Sequence, residues 1–270
     1  MIFSAVEKLI LHKYPLRVAL WKRLVRQFNL GSYQYRVSID AVIRPQYAYC
    51  MLEAALLARD HGIKKISAIE FGVAGGNGLV NIEAHAREIH RELGVEFEIY
   101  GFDSGEGMPA STDYRDVLYY WPQGSYKMDQ ATLERRLTAS KLILGDVRET
   151  TKTFIKDYGP APIGCVFFDL DYYSSTLPAF QVFDAPSERH LPRVACHFDD
   201  VSATNKFIGE LCAIKAFNAA HDTMKIAQHH MLAELRRIPM PWNHEIYYFH
   251  NFSHPRYNEC HRGTQQLHLS

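Results

Sequence analysis

Lys65-Ile66-Ser67-Ala68-Ile69-Glu70-Phe71 runs without a break into Gly72-Val73-Ala74-Gly75-Gly76-Asn77-Gly78, and a segment with helical patterning follows. An apolar strand that turns on glycine into a helix is the repeating unit of a parallel α/β sheet. Glycines at such a turn let a ligand approach the backbone, and the start of the helix offers amide donors. The spacing is not GxGxxG, and no Gly-Lys-Ser/Thr follows. Without a lysine the loop has little with which to hold a triphosphate. Glu70, just before the glycines, would repel phosphate and could receive a positively charged group.

Working outward, apolar stretches predict further strands at Phe97–Phe102, Leu142–Leu144, Gly164–Leu170 and Val194–Phe198, after a first strand over Ile66–Phe71. Between them the spacing predicts helices over Gly78–Leu93, Gln130–Thr138, Val147–Tyr158 and Leu177–Phe183. A helix over Asn205–Ala220 comes next, then strands over Lys225–Met231 and Glu245–His250. Only Pro239, Pro241 and Trp242 mark the space between these last two, which suggests a closing hairpin rather than another crossover. Upstream, Pro45–His61 reads as a helix that stops at Gly62.

Three acids follow strands one to three in turn. Beyond Glu70, Asp103 ends Tyr100-Gly101-Phe102-Asp103-Ser104, where a carboxylate can accept the hydroxyls of a ribose. Asp146 follows Gly145 after the third strand, placed to meet an adenine amine. Each alone is more often a solvated residue or a helix cap; three in succession point to a nucleoside carrying a cationic amino-acid tail. S-adenosylmethionine (SAM) is such a molecule.

A second acidic pattern closes the sheet edge. Asp169 and Asp171 stand two residues apart in Cys165-Val166-Phe167-Phe168-Asp169-Leu170-Asp171-Tyr172-Tyr173-Ser174-Ser175-Thr176, so in extended geometry both would point to one face. Asp199-Asp200 ends the next strand, Val194-Ala195-Cys196-His197-Phe198. Adjacent parallel strands would gather all four at the carboxyl edge, where a hard divalent cation of the Mg²⁺ type is the natural counter-charge. The alternative is a helix capped by Ser174, Ser175 and Thr176, with the aspartates facing water.

Taken together, residues 62 to 205 resemble the macrocin O-methyltransferase family, metal-dependent and SAM-dependent sugar O-methyltransferases. The resemblance rests on Glu70-Phe71-Gly72 with Gly75-Gly76, on Tyr100 to Ser104 with Glu106-Gly107-Met108-Pro109, and on Gly145-Asp146. Its specific part is Asp169-x-Asp171-x-Tyr173-x-Ser175-Thr176 paired with Asp199-Asp200. It implies a Rossmann-like class I SAM methyltransferase sheet of about seven strands with the last antiparallel, preceded by an N-terminal helical arm. It implies that Asp169, Asp199 and Asp200 ligate Mg²⁺ and that Asp171 is the general base. SAM would meet Glu70, Gly72, Val73, Gly75 and Gly76 at the first turn, Asp103 and Ser104 at the second, Asp146 and Val147 at the third, and Asp169 at the fourth. Leu170 stands where the family usually has glycine, and Tyr172 adds an aromatic beside the proposed base.

Composition bounds the rest. In 270 residues, 30 Lys and Arg balance 30 Asp and Glu, which argues against wholesale binding to nucleic acid. Five cysteines, widely spaced and never CxxC, favour reduced thiols over a disulfide framework or a cysteine zinc site. No stretch approaches the roughly 18 to 20 apolar residues of a membrane span, and a cytoplasmic enzyme is expected. The expected division is a helical arm or cap over residues 1–62, a methyltransferase domain over 63–252 and a tail over 253–270. Residues 5–28 form a basic, amphipathic pattern broken at Pro15, suited to packing on its own domain, to a homodimer contact, or to peripheral contact with an anionic membrane.

An insertion over residues 105–129 carries Tyr114, Arg115, Tyr119, Tyr120, Trp121 and Tyr126, whose rings suit either a lid over a small-molecule or glycan acceptor or a packed surface loop. His197 reads as a core histidine or an alternative base. His229, His230, His244, His250 and His254 lack zinc-site spacing. Two rival functions stand beside the methyltransferase. A nicotinamide oxidoreductase would want an acid about 20 residues past the glycines, whereas Asp103 lies 31 after Gly72. A non-catalytic scaffold would have no need of four aspartates.

Overall fold

The computed structural model describes residues 16–259. Residues 5–15 of the expected arm, Cys260 and the tail from 260 onward lie outside them. Among the described residues, seven strands form one sheet: β1 (Lys65–Phe71), β2 (Glu96–Asp103), β3 (Ser140–Leu144), β4 (Ile163–Phe168), β5 (His190–Phe198), β6 (Met224–Gln228) and β7 (Ile246–Asn251). Their order is β3-β2-β1-β4-β5-β7-β6. The first five are parallel, and β7 runs antiparallel between β5 and β6, so the two late strands do form the expected hairpin.

The central strands are apolar on both faces because helices cover both. Cys165 and Phe167 of β4 point into one core layer, with Ala48, Met51 and Ala55 of the helix Pro45–Asp60. Val166 and Phe168 point into the other, with Phe180, Phe183, Phe198 and Phe249. Phe183 stacks on Phe249 with centroids 4.0 Å apart. The helix Val147–Tyr158 satisfies free backbone groups at both ends locally. Asp146 caps Val147–Tyr158, whose last turn closes on Gly159 in the left-handed region.

Several boundaries differ from the sequence reading, each for a local reason. Strand β4 ends at Phe168 rather than Leu170, because Asp171 takes φ 59° and the chain turns. Instead of Leu177–Phe183, the helix spans Tyr173–Ala179 and passes into a 3-10 turn over Phe180–Asp184, just after Pro178, which has no N–H to donate. The helix expected to start at Asn205 starts at Gly209, and β5 begins four residues early, at His190. A short helix Tyr33–Ser38, capped by Ser32, was not anticipated.

The helix Gln130–Glu134 stops short of Thr138: the Arg136 and Leu137 amides both turn back to the Leu133 carbonyl, and the amides from Thr138 on are claimed by Glu83. The amides of Thr138, Ala139 and Ser140 all donate to the Glu83 carboxylate, as do the hydroxyls of Thr138 and Ser140. Burial raises the pKa of this group, but the hydrogen bonds outweigh burial and hold it at about 2. With the folded pKa below the unfolded value, the stability it contributes is present above about 4.5 and lost as pH falls through about 2. Glu83→Gln should therefore lower the urea midpoint at pH 7 and leave the difference from wild type much smaller near pH 2.5; an equal loss at both would show that shape, not charge, sets the effect.

Candidate active site

The carboxyl ends of β1 to β5 open onto a cleft of about 510 Å³, within the usual range for a small-molecule site. One wall is the glycine turn. Gly72 has φ 84°, and a Cβ there would lie 1.8 Å from the carbonyl oxygen of Asp169. The Asp169 amide donates to the Phe71 carbonyl (2.9 Å), and the Gly72 amide to that of Phe102 (2.9 Å). The end of β4 is thus pressed against the turn after β1, a proximity that only glycine allows.

Asp103 is fixed by three amides. Its Oδ2 accepts from Val73 and Ala74, at 2.9 Å each, and its Oδ1 from Gly105 at 2.7 Å. Ser104 organises the following loop, accepting from the Glu106 amide and donating to the Gly107 carbonyl. Asp103 and Ser104 line the cleft, as do Gly72 and Ala74; Asp146, Val147 and Arg148 line it further along. Arg148 pairs with Asp146 at 2.5 Å, and its hydrogen bonds hold that carboxyl below the ordinary range.

Glu70 is placed differently from expectation. It is buried behind the turn, outside the cleft lining, where the Tyr47 hydroxyl donates to it at 2.8 Å. Gly78 makes room for it, since a Cβ there would meet Glu70 Oε1 at 1.6 Å. Burial pushes its pKa up to about 8. The cleft lining also omits Val73, Gly75 and Gly76. Gly75 instead accepts from Arg136 through its carbonyl.

The opposite wall is acidic. Carboxylate oxygens of Asp169, Asp171 and Asp200 lie within 4.8 Å of one another. Asp171 joins them through its left-handed backbone and not, as the alternation of an extended strand predicts, by pointing with Asp169 from one face. Asp199 lines the same cleft, but its carboxylate groups with His197 and Glu245. His197 Nε2 lies 3.0 Å from Glu245 and 3.8 Å from Asp199. His197 itself is fully buried beside the Tyr47 ring and does not line the cleft.

Burial lifts Asp169 to about 7, with the charges of Asp199 and Asp200 adding and Arg44 opposing. Burial also raises Asp171 and Asp200, which are hydrogen-bonded to each other. Beneath them Glu210, fully buried on the helix Gly209–Ala220, accepts from the Asp200 amide and is raised too, by burial and by the charge of Asp200. Asp200 Oδ2 and Glu210 Oε1 are buried without a hydrogen-bond partner among the described residues. An all-oxygen donor set with orphaned buried atoms fits a hard cation such as Mg²⁺.

Sequence reasoning missed Glu210, Glu245, Arg44 and Tyr47. Glu210 had a visible signal, a single acid within the otherwise apolar Gly209-Glu210-Leu211-Cys212-Ala213-Ile214. The C-terminal histidines join neither acidic group among the described residues. Cys50, Cys165, Cys196 and Cys212 are free thiols.

The aromatic insertion forms the outer rim. Trp121 and Tyr126 line the cleft, while Tyr114, Tyr119 and Tyr120 face solvent. Its base is anchored on the helix Tyr173–Ala179: buried Asp116 accepts from the Ser174 amide (2.9 Å) and hydroxyl (2.5 Å), and the Tyr172 hydroxyl donates to the Trp121 carbonyl. Arg115 lies over the Tyr173 ring at 3.7 Å.

No protein-family model matches the chain. No curated protein matches it either. Solved structures do. The calicheamicin methyltransferase CalS11 is 20% identical over 89% of this chain and 94% of its own, with a TM-score of 0.52. The O-methyltransferase NovP is 12% identical over 87% and 98%, with a TM-score of 0.54. At these identities the likeness concerns architecture, and the chain has the class I SAM methyltransferase fold.

Two outcomes follow from the geometry. Because Asp169 has a folded pKa above its unfolded value, the stability it contributes is present below about 3.8 and lost as pH rises through about 7. In EDTA the melting temperature should therefore fall between pH 6 and 8, and Mg²⁺ should restore more at pH 8. At about 100-fold over Kd the restoration is about 2.7 kcal/mol, on the order of 5–10 °C; equal effects at both pH values would place the cation elsewhere. Gly72→Ala should separate the turn from Asp169 and weaken Mg²⁺ binding as measured by calorimetry, and unchanged affinity would show that this contact does not position the carboxylates.

Proposed function

We propose that this chain is a SAM-dependent, Mg²⁺-dependent O-methyltransferase acting on a hydroxyl of a sugar or glycoside. The observation that carries the reading is the pairing of two walls in one cleft: Asp103 and Asp146 at the ends of β2 and β3, and buried oxygen donors at the ends of β4 and β5. Both solved structures named above are methyltransferases. A nicotinamide enzyme fits less well, since its parallel sheet runs 3-2-1-4-5-6, whereas here an antiparallel strand separates β5 from β6.

Bound SAM supplies a methyl group already activated on a sulfonium. Asp169 and Asp200, with Asp199 lining the same cleft, would hold a Mg²⁺ ion, which would supply Lewis acidity toward the acceptor hydroxyl. The chain's own contribution is positioning and proton transfer. An ionised carboxylate offers about four acceptor sites, so the three amides on Asp103 leave room for one ribose hydroxyl rather than both. Val147, in the cleft lining, would pack beside the nucleoside, and Arg148 keeps Asp146 ionised. Asp171 takes the proton from the acceptor hydroxyl, and burial makes it a stronger base than an ordinary aspartate. Trp121 and Tyr126 offer ring faces to the acceptor at the rim.

A second reading of Asp171 has its own support, because its carboxylate lies with Asp169 and Asp200 while that of Asp199 lies with His197 and Glu245. In it Asp171 is a ligand. The two readings separate in Asp171→Asn: loss of turnover with unchanged Mg²⁺ affinity assigns a base, and loss of both assigns a ligand.

Titration calorimetry with S-adenosylhomocysteine should give micromolar binding, and absence of binding for both it and SAM would overturn the methyltransferase reading. Trp121→Ala should raise the acceptor KM about 2- to 12-fold with little change in the KM for SAM; an effect on SAM instead would move Trp121 to the cofactor side of the cleft.

A further inference from the structure

The helix Leu16–Phe28 is attached to the body by one side only. Val25 is fully buried against Ile39 and Ala41, and Lys22 reaches Asp40 at 3.8 Å. The Trp21 indole donates to the Tyr35 hydroxyl at its edge. At about 100° per residue, Leu16, Leu20, Leu24 and Phe28 form one stripe that starts opposite Val25 and winds toward it, with Trp21 beside Phe28. These five side chains are between 46% and 61% exposed. Together they present on the order of 500 Å² of apolar surface, the size at which an exposed patch marks an interaction site.

The charges around this stripe have one sign. The helix carries Arg17, Lys22, Arg23 and Arg26 and no acid. Arg17, Arg23 and Arg26 have no carboxylate partner among the described residues. In a chain whose total charge is zero, this is a local basic surface. A second copy of the same helix answers it poorly. Antiparallel two-fold packing sets like flank against like flank, so the flank that carries Arg23 and Arg26 meets the same basic flank with no acid on the helix to offset it.

We propose that this face docks on an anionic lipid bilayer, with the stripe entering the headgroup region and the arginines meeting lipid phosphates. The helix lies in the interface and does not cross it. Among the described residues no helix is long and apolar enough to span a membrane. Arg17, set within the apolar arc, can extend its head outward along the surface while its stem stays among the leucines.

Vesicle flotation with the full chain tests this, comparing pure phosphatidylcholine with a mixture containing phosphatidylglycerol. Wild type should float with the anionic vesicles at least tenfold more than with the neutral ones, and high salt should release it. Leu20→Glu with Leu24→Glu should abolish flotation, and Arg23→Glu with Arg26→Glu should reduce it at least tenfold. Circular dichroism and melting curves show whether each variant is folded; where the leucine pair fails to fold, Leu20→Ser with Leu24→Ser replaces it. Flotation unaffected by the leucine variant overturns the assignment of this face. A wild type that does not float, but sediments as a dimer dissociated by the leucine variant, gives the face to a second copy. A monomer that does not float overturns the proposal and leaves the stripe to the chain's own first fifteen residues.

Discussion

The contact between Gly72 and the backbone of Asp169 joins the two halves of the molecule that meet at the cleft. On one side stand β1, β2 and β3, whose ends present Asp103 and Asp146; on the other stand β4 and β5, whose ends present the carboxylate cluster. The amide of Asp169 donates to Phe71, and the Gly72 amide to Phe102, so strands β2, β1 and β4 are stitched at one level. A nucleoside bound on the first side would therefore have its reactive end delivered next to the second. In the proposed reaction, proximity of this kind would supply a large part of the acceleration.

The cluster on the far side is costly to fold. Three aspartates and Glu210 are gathered in a partly or wholly buried space, with Arg44 as the neighbouring cation, and protons replace charge where they can. Two of their oxygens have no hydrogen-bond partner among the described residues. Such a site is easier to understand as held ready for a cation than as a source of stability. The aromatic layers, with Phe168 stacked on Phe198 and Phe183 on Phe249, supply the burial that offsets it.

The strands and the turn were legible because their signals are local. Glycines, apolar runs and acids at strand ends keep their meaning wherever they occur, and the seven strands fall where those signals put them, give or take a few residues at each end. What could not be read was set by partners far away in the chain. Glu70 looks like a ligand-facing acid until Tyr47, from the preceding helix, is seen to cover it. Asp171 was expected from strand alternation and arrives by a left-handed residue, a conformation for which an aspartate gives only a weak sequence signal. Asp199 and Asp200 are neighbours in sequence, yet a 3-10 turn starts at Asp199 and sends their carboxylates to different groups.

The anchoring of the insertion separates two kinds of change. Asp116 and Tyr172 tie its base to the helix Tyr173–Ala179, and Val117 and Met108 fill the small core beneath it. Tyr114, Tyr119 and Tyr120 take no part in that core and stand in solvent. Substitutions at such exposed positions usually alter stability by no more than about 0.5 kcal/mol. The rim is therefore free to vary while its footing and the carboxylates below stay unchanged. Exchanging those three rings would reshape the outer surface of the insertion without touching Trp121 and Tyr126 at the cleft or the carboxylates beneath them.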